Sequence, residues 1–299
     1  MPSIRAVLFN WYMKSTFKSK PIHLIPAHIL TEGAEKLAPN APPPGVRLES
    51  VVEGAVKGEW HRAEDASGST VMYLHGGGYV FGSPKSHRAF TFALAKEAGT
   101  EVFSLDYRLA PEHLFPAAVD DALAGYQWLL KSGRDPSRMV IGGDSAGGGL
   151  TLALLLSIKA RGLPMPAGAV LLSPWTDLAA TGASLDRNEN SDAMFKKVYI
   201  TEGAKRYLGT ADPKAPLASP LYGDLGGLPP VLTFVSKSEV LCDDSLRLHD
   251  RLLMAGVDST LIAENGLIHV WPIFPGRFPE AGESIKQASE FVRQHTRGS

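Results

Sequence analysis

Two patterns in the sequence predict an α/β protein with a doubly wound, parallel sheet. Short runs that are apolar almost throughout recur from about residue 70 onward, and longer amphipathic stretches separate them. The strand candidates are VMYL (71–74), EVFSL (101–105), RMVIGG (138–143), GAVLLS (168–173), VLTFVS (231–236) and STLIAE (259–264). Runs without polar–apolar alternation suit parallel strands buried on both faces. Helical segments are predicted near 87–98, 116–131, 147–161, 243–255 and 280–295. Strand–helix alternation of this kind builds helices onto both faces of one sheet.

Two regions break the rhythm. Residues 1–45 are helix-like and then Pro-rich, ending in APNAPPPG, and the connection from Ser173 to Leu232 is far longer than an ordinary strand–helix loop. Both are read as parts of one cap over the sheet. The organisation expected is an N-terminal cap part (1–45), core (46–175), cap insertion and connection (176–225) and core again (226–299). Trp11, Tyr12, Met13 and Phe17 are candidates either for cap lining or for helix packing.

Composition narrows the function classes. With 44% hydrophobic and 20% charged residues and a formal charge of −1, the 299-residue chain reads as an ordinary soluble protein. A balanced charge implies no broad basic face for nucleic acid. One cysteine, Cys242, excludes an internal disulfide and offers no metal-ligand cluster. The apolar run AVLF near the start is too short for a signal-peptide core. The longest apolar stretch, 149–158, falls short of the roughly 20 residues that span a bilayer. No stable membrane insertion and a cytoplasmic location are expected.

Three motifs carry chemistry. Gly143-Asp144-Ser145-Ala146-Gly147 matches G-x-S-x-G between a strand and a helix, the context in which a sharp turn lifts a serine above the sheet. The glycines remove side chains that would clash across that turn, and the helix behind it points amides at developing negative charge. His75-Gly76-Gly77-Gly78-Tyr79 follows the strand VMYL, and its uncovered amides suit a tetrahedral oxyanion. The donors assigned are the amides of Gly77, Gly78 and Ala146, with Gly76 shaping the turn and His75 bracing the loop. A serine hydroxyl needs a base. Of nine histidines, His269 in NGLIHVW follows the last strand candidate across a short loop opening at the serine's edge of the sheet.

The stretches YLHGGGYVFGS (73–83), DYRLAPEHLFPAAVDDA (106–122), GGDSAGGGL (142–150), LLSPWTDL (171–178) and HVW (269–271) together resemble the hormone-sensitive-lipase-like (family IV) bacterial carboxylesterases of the α/β-hydrolase superfamily. The resemblance implies an α/β-hydrolase fold with an eight-stranded, mostly parallel sheet and a helical cap. It also implies ester hydrolysis without cofactor or metal. Asp106 and Arg108 match family positions and are expected to pair as scaffold. Relatives often dimerise through the last strand and helix, which makes a homodimer one option here.

The same resemblance locates the third triad member. The superfamily order is serine, acid, histidine, so the acid lies between 145 and 269. Related esterases carry Asp-Pro-Leu-x-Asp after the corresponding strand, the first Asp being catalytic, and that pattern falls on Glu239-Val240-Leu241-Cys242-Asp243. Glu239 is therefore favoured over Asp243, while Asp243 and Asp244 are read as residues that open a helix. The catalytic set is Ser145, Glu239 and His269, acting on short- to medium-chain carboxylic esters through an acyl-enzyme. An amidase or lactonase could use the same triad. A non-catalytic receptor is disfavoured because the catalytic histidine, lost in the related plant gibberellin receptors, is present.

Overall fold

Why the parallel strands read as unbroken apolar runs is plain from their packing. In β3 (Thr70–Leu74), Met72 and Leu74 enter one buried cluster while Val71 and Tyr73 enter the other. Both faces of the strand are therefore covered. The computed structural model describes residues 1–297; Gly298 and Ser299, which end the segment 226–299, lie outside the described residues.

Two helices, α1 (Ile4–Met13) and α2 (Ala27–Leu37), precede an antiparallel hairpin of β1 (Val46–Glu53) and β2 (Val56–Ala63). Then β3, α3 (Arg88–Ala98), β4 (Glu101–Leu105), α4 (Ala117–Lys131), β5 (Met139–Asp144), α5 (Ala146–Ala160) and β6 (Gly168–Leu172) alternate. The long connection holds α6 (Ser184–Arg187) and α7 (Lys197–Leu208), and the chain ends with β7 (Val231–Ser236), α8 (Cys242–Met254), β8 (Ser259–Glu264) and α9 (Pro279–Thr296). Eight strands lie in the order β1-β2-β4-β3-β5-β6-β7-β8, parallel from β4 onward. Chain direction across the sheet reverses at β3, so the carboxyl ends of β3 and β5 meet at a topological switch point, where ligands bind in such sheets.

The hairpin β1–β2 is absent from the apolar-run reading because it is not an apolar run. Only Val46 and Val51 of β1 are buried, and its outer edge is polar. The sheet is held there by Trp60 of β2, which packs on Phe103 at 5.0 Å and lies under the guanidinium groups of Arg62 and Arg134, 4.3 and 4.8 Å from its ring. Both arginines also pair with Glu101.

Another expectation is corrected. Asp106 and Arg108 do not pair. Arg108 instead grips Asp121 of α4, which accepts from its backbone N–H (2.8 Å), Nε (2.8 Å) and Nη2 (2.6 Å). The helix brings a carboxylate edge to the guanidinium fork, the geometry a bidentate pair requires.

Residues 1–45 and the long connection hold one another. Lys18 Nζ donates to the carbonyls of Glu189 and Asp192, and Tyr199 OH donates to those of Lys18 (3.0 Å) and Lys20 (2.7 Å). Arg206 donates to His23 O. Of the four aromatic and methionine candidates, Phe17 packs edge-on against Phe195 and Met13 is half-buried. Trp11 and Tyr12 are 70% and 53% exposed, so they neither line a site nor pack in a core. Asn10, on the other side of α1, spends its amide on Gly266 O at 2.6 Å, which fixes that face inward and turns Trp11 and Tyr12 outward.

Replacing Trp60 by alanine should lower stability by about 3–5 kcal/mol, the usual cost of emptying a large aromatic site. Urea unfolding of the two proteins measures it.

Candidate active site

The serine turn is built from close backbone contact. Ser145 sits at φ +52°, ψ −118°, between β5 and α5. Side chains on the flanking glycines could not be housed: a Cβ on Gly147 would lie 1.9 Å from Leu74 O, and one on Gly143 2.3 Å from Gly147 O. Strain of this kind persists only where surrounding structure enforces it. Here Ser145 N–H donates to Leu172 O (2.8 Å) and its carbonyl accepts from Trp175 N–H (2.9 Å).

The glycine loop after β3 is tied to that turn by one carboxylate. Asp144 Oδ1 accepts from Gly76 N–H at 2.9 Å and from Tyr73 OH at 2.7 Å, and His87 Nε2 lies 3.4 Å away. Burial raises the Asp144 carboxyl, but His87 and these donors outweigh it and hold the group below its ordinary value. Gly76 is thus committed to Asp144. The amides of Gly77, Gly78 and Ala146 have no acceptor among the described residues. Gly77 and Gly78 take φ of +117° and +64°, conformations that strain any side-chain-bearing residue. His75 is fully buried, pairs through Nδ1 with Gly76 O (2.8 Å) and stacks on Tyr107 at 4.3 Å. Burial lowers its pKa to about 3, so it stays neutral. Tyr79 stacks on Tyr207 of α7 at 3.9 Å, which joins the loop to the long connection.

Glu239 and His269 meet beyond the carboxyl ends of the neighbouring strands β7 and β8. Glu239 Oε1 is 3.4 Å from His269 Nδ1, and both residues are 1% exposed. Among the described residues neither ring nitrogen of His269 nor Glu239 Oε1 has a hydrogen-bond partner, so the 3.4 Å approach is a charge contact and Nε2 is left open. Burial disfavours the imidazolium, yet the Glu239 carboxylate outweighs it and raises the His269 pKa above its ordinary value. Burial pushes Glu239 up in turn, opposed by His269. Phe195 packs edge-on against the imidazole at 4.9 Å.

Asp243 and Asp244 do open α8, but that is not all they do. Asp243 accepts from Ser184 N–H (2.9 Å) and pairs with Arg187 (2.6 Å). Asp244 is buried, accepts the amides of Thr176 (2.8 Å) and Asp177 (2.9 Å), and is pushed by burial up to about 7. Neither carboxylate is hydrogen-bonded or ion-paired to His269. They fasten the start of the long connection. Burial also pushes the Cys242 thiol up to about 11, which keeps it protonated and inert.

Two residues in this site escape sequence reasoning. Ser173 Oγ donates to Glu239 Oε2 (2.8 Å) while accepting from Val270 N–H (3.0 Å), so one hydroxyl holds both the acid and the histidine loop. Its φ of +46° marks a second strained turn beside Ser145. Asp192, in the long connection, accepts from Val240 N–H at 2.8 Å, and its charge raises both Glu239 and His269. The only sequence signal for Ser173 is its place at the end of the strand beside that of Ser145; Asp192 has none.

A family model described as alpha/beta hydrolase fold matches residues 71–273. The chain belongs to the α/β-hydrolase family, in its hormone-sensitive-lipase-like branch. An acetyl-hydrolase of Streptomyces hygroscopicus is 43% identical over 254 residues, 85% of this chain and 84% of that one. An esterase of Acinetobacter venetianus is 36% identical over 283 residues, 90% and 93% of the two chains. A crystal structure of an esterase from the bacterial hormone-sensitive lipase family superposes with a TM-score of 0.93 at 40% identity, covering 99% of this chain and 100% of that one.

Asp144→Ala should free the glycine loop from the serine turn. The expected result is a fall in kcat of about a hundredfold, similar to losing one oxyanion donor, with a smaller change in KM. Steady-state kinetics on a soluble ester measures both.

Proposed function

We propose that the protein is a serine carboxylesterase in which Ser145 is the nucleophile, His269 the general base and Glu239 the acid that orients it. The observation that carries the reading is the unpartnered Nε2 of His269, backed on its other nitrogen by Glu239 at 3.4 Å and sharing a sheet edge with a strained serine. Ester hydrolysis is the activity of the family; the residue roles are the proposal.

Ser145 Oγ bonds to the ester carbonyl carbon as His269 Nε2 takes its proton. The tetrahedral oxyanion is met by the amides of Gly77, Gly78 and Ala146, which are preorganised and have no other acceptor. Collapse breaks the bond to the alkoxide, which leaves as alcohol with the proton from His269. Water then attacks the acyl-enzyme by the same route, and Ser145 recovers its proton. Glu239 stabilises the imidazolium that forms twice in each cycle. Residues 1–45 and the connection through α7 form a cap in which Phe195 packs on the histidine and Phe17 packs on Phe195. Short- to medium-chain esters are the substrates of this reading. The open backbone edge of β8 suits pairing with a second copy, as a homodimer.

Ser145→Ala should abolish hydrolysis across a chain-length series of p-nitrophenyl esters and prevent stoichiometric labelling by a sulfonyl fluoride. Undiminished turnover in that variant would exclude Ser145 as the nucleophile.

His269 must be neutral to act as base. Its raised pKa therefore places the acid limb of kcat/KM above pH ~6.5, the ordinary imidazole value. Glu239→Gln removes the carboxylate that raises it, so the limb should move to lower pH while kcat drops about 10³–10⁴-fold. Asp243→Asn should leave the limb in place. A limb that moves with Asp243 instead would transfer the role to that residue.

A further inference from the structure

The face of α1 turned away from the sheet is apolar and uncovered. Ile4, Val7, Leu8, Trp11 and Tyr12 are 80%, 51%, 61%, 70% and 53% exposed. At about 100° per residue these five positions fill one arc of about 140° on the helix. Opposite them, Ala6 is buried and Phe9 packs on Phe274 and Phe278 at 5.2 and 5.5 Å. The helix is therefore seated on the protein by its inner side and leaves a continuous hydrophobic outer side. Arg5 and Lys14, both exposed, border that outer arc along its two edges. Lys20 is exposed just beyond.

Charge says what the face fits. The first 31 residues hold four basic side chains and no Asp or Glu, in a chain whose total is −1. Lys18 is internal and bound to carbonyls, which leaves at the surface Arg5, Lys20 and Lys14, the last of which donates to Asn190 O at 3.0 Å while staying exposed. An apolar helical face bearing Trp and Tyr and edged by cations is the pattern of helices that lie in a lipid interface. Each cation near an anionic surface adds to the attraction. Among the described residues no helix is long and apolar enough to cross a membrane, so the attachment is one of lying on the surface.

We propose that α1 docks the enzyme onto anionic lipid surfaces, with Leu8 and Trp11 buried among the acyl chains and Arg5 and Lys14 at the headgroups. The same helix holds the loop that carries His269, through Asn10 Nδ2 on Gly266 O at 2.6 Å. Docking there sets the histidine side of the site next to a supply of water-insoluble esters. The inference concerns where the enzyme works and holds whichever groups perform the hydrolysis.

The test is co-sedimentation of the full chain with phosphatidylcholine vesicles, with and without phosphatidylglycerol, at low and high salt. Binding should require phosphatidylglycerol and weaken as salt rises. Leu8→Asp/Trp11→Asp should weaken it by at least about tenfold, since two buried apolar side chains are lost. Arg5→Glu/Lys14→Glu should do the same by charge alone. Both variants alter exposed residues outside the reacting groups, so turnover of p-nitrophenyl acetate should stay unchanged and report an intact fold. Absent binding, equal binding to both vesicle types, or binding untouched by either variant would overturn the proposal. So would a wild-type dimer in sedimentation velocity that Leu8→Asp/Trp11→Asp dissolves, because a second copy would then be the occupant of the face.

Discussion

A single buried carboxylate, Asp144, holds the reactive centre together. It sits one residue before the serine, yet its oxygen accepts from the glycine loop on the neighbouring strand. The approach is so close that a Cβ on Gly76 would lie 2.2 Å from Asp144 Oδ2 and 2.9 Å from its backbone oxygen. Any polar group in that gap must be satisfied or it destabilises the turn. Tyr73 and Gly76, from the end of β3 and the loop directly after it, and His87, just before α3, supply the partners. The strained serine and the freed glycine amides are two ends of one clamp.

The histidine side uses the same device with a hydroxyl in place of a carboxylate. Ser173 lies at the carboxyl end of β6, next to the strand that leads into Ser145. Its Oγ spans from the Glu239 carboxylate to the Val270 amide. Leu172, one residue earlier, accepts from Ser145 N–H. Two consecutive residues thus connect the Ser145 turn to Glu239 and to the loop that carries His269. A sheet edge can position three distant segments only because its strands fix the spacing between them.

How much of this the sequence discloses depends on where each residue sits. The six strands from β3 to β8 are legible because five of them are covered on both faces and read as apolar runs. In the hairpin, β1 buries only Val46 and Val51 and β2 sets buried Trp60 and His61 among charged residues, so neither gives such a run. Ser145 and the glycine loop are legible because backbone crowding admits only glycine at fixed neighbours. Ser173 and Asp192 are not, since a serine in a loop and an aspartate in an insertion acquire meaning only from what lies across from them. Arg108 shows the same limit: its partner is thirteen residues on, at Asp121, and only the placement of α4 brings the two together.

The latch between the N-terminal residues and the long connection has a consequence for how such enzymes diversify. Lys18 and Arg206 each donate to main-chain oxygens of the opposite segment, as does the Tyr199 hydroxyl. A carbonyl is present whatever side chain its residue carries. The residues at 189, 20 and 23 can therefore change identity without breaking these hydrogen bonds, whereas Asp192 is also held to its identity by the Val240 amide that its side chain accepts. Side chains along both segments can drift while the two segments stay fastened, so variation there need not loosen their attachment.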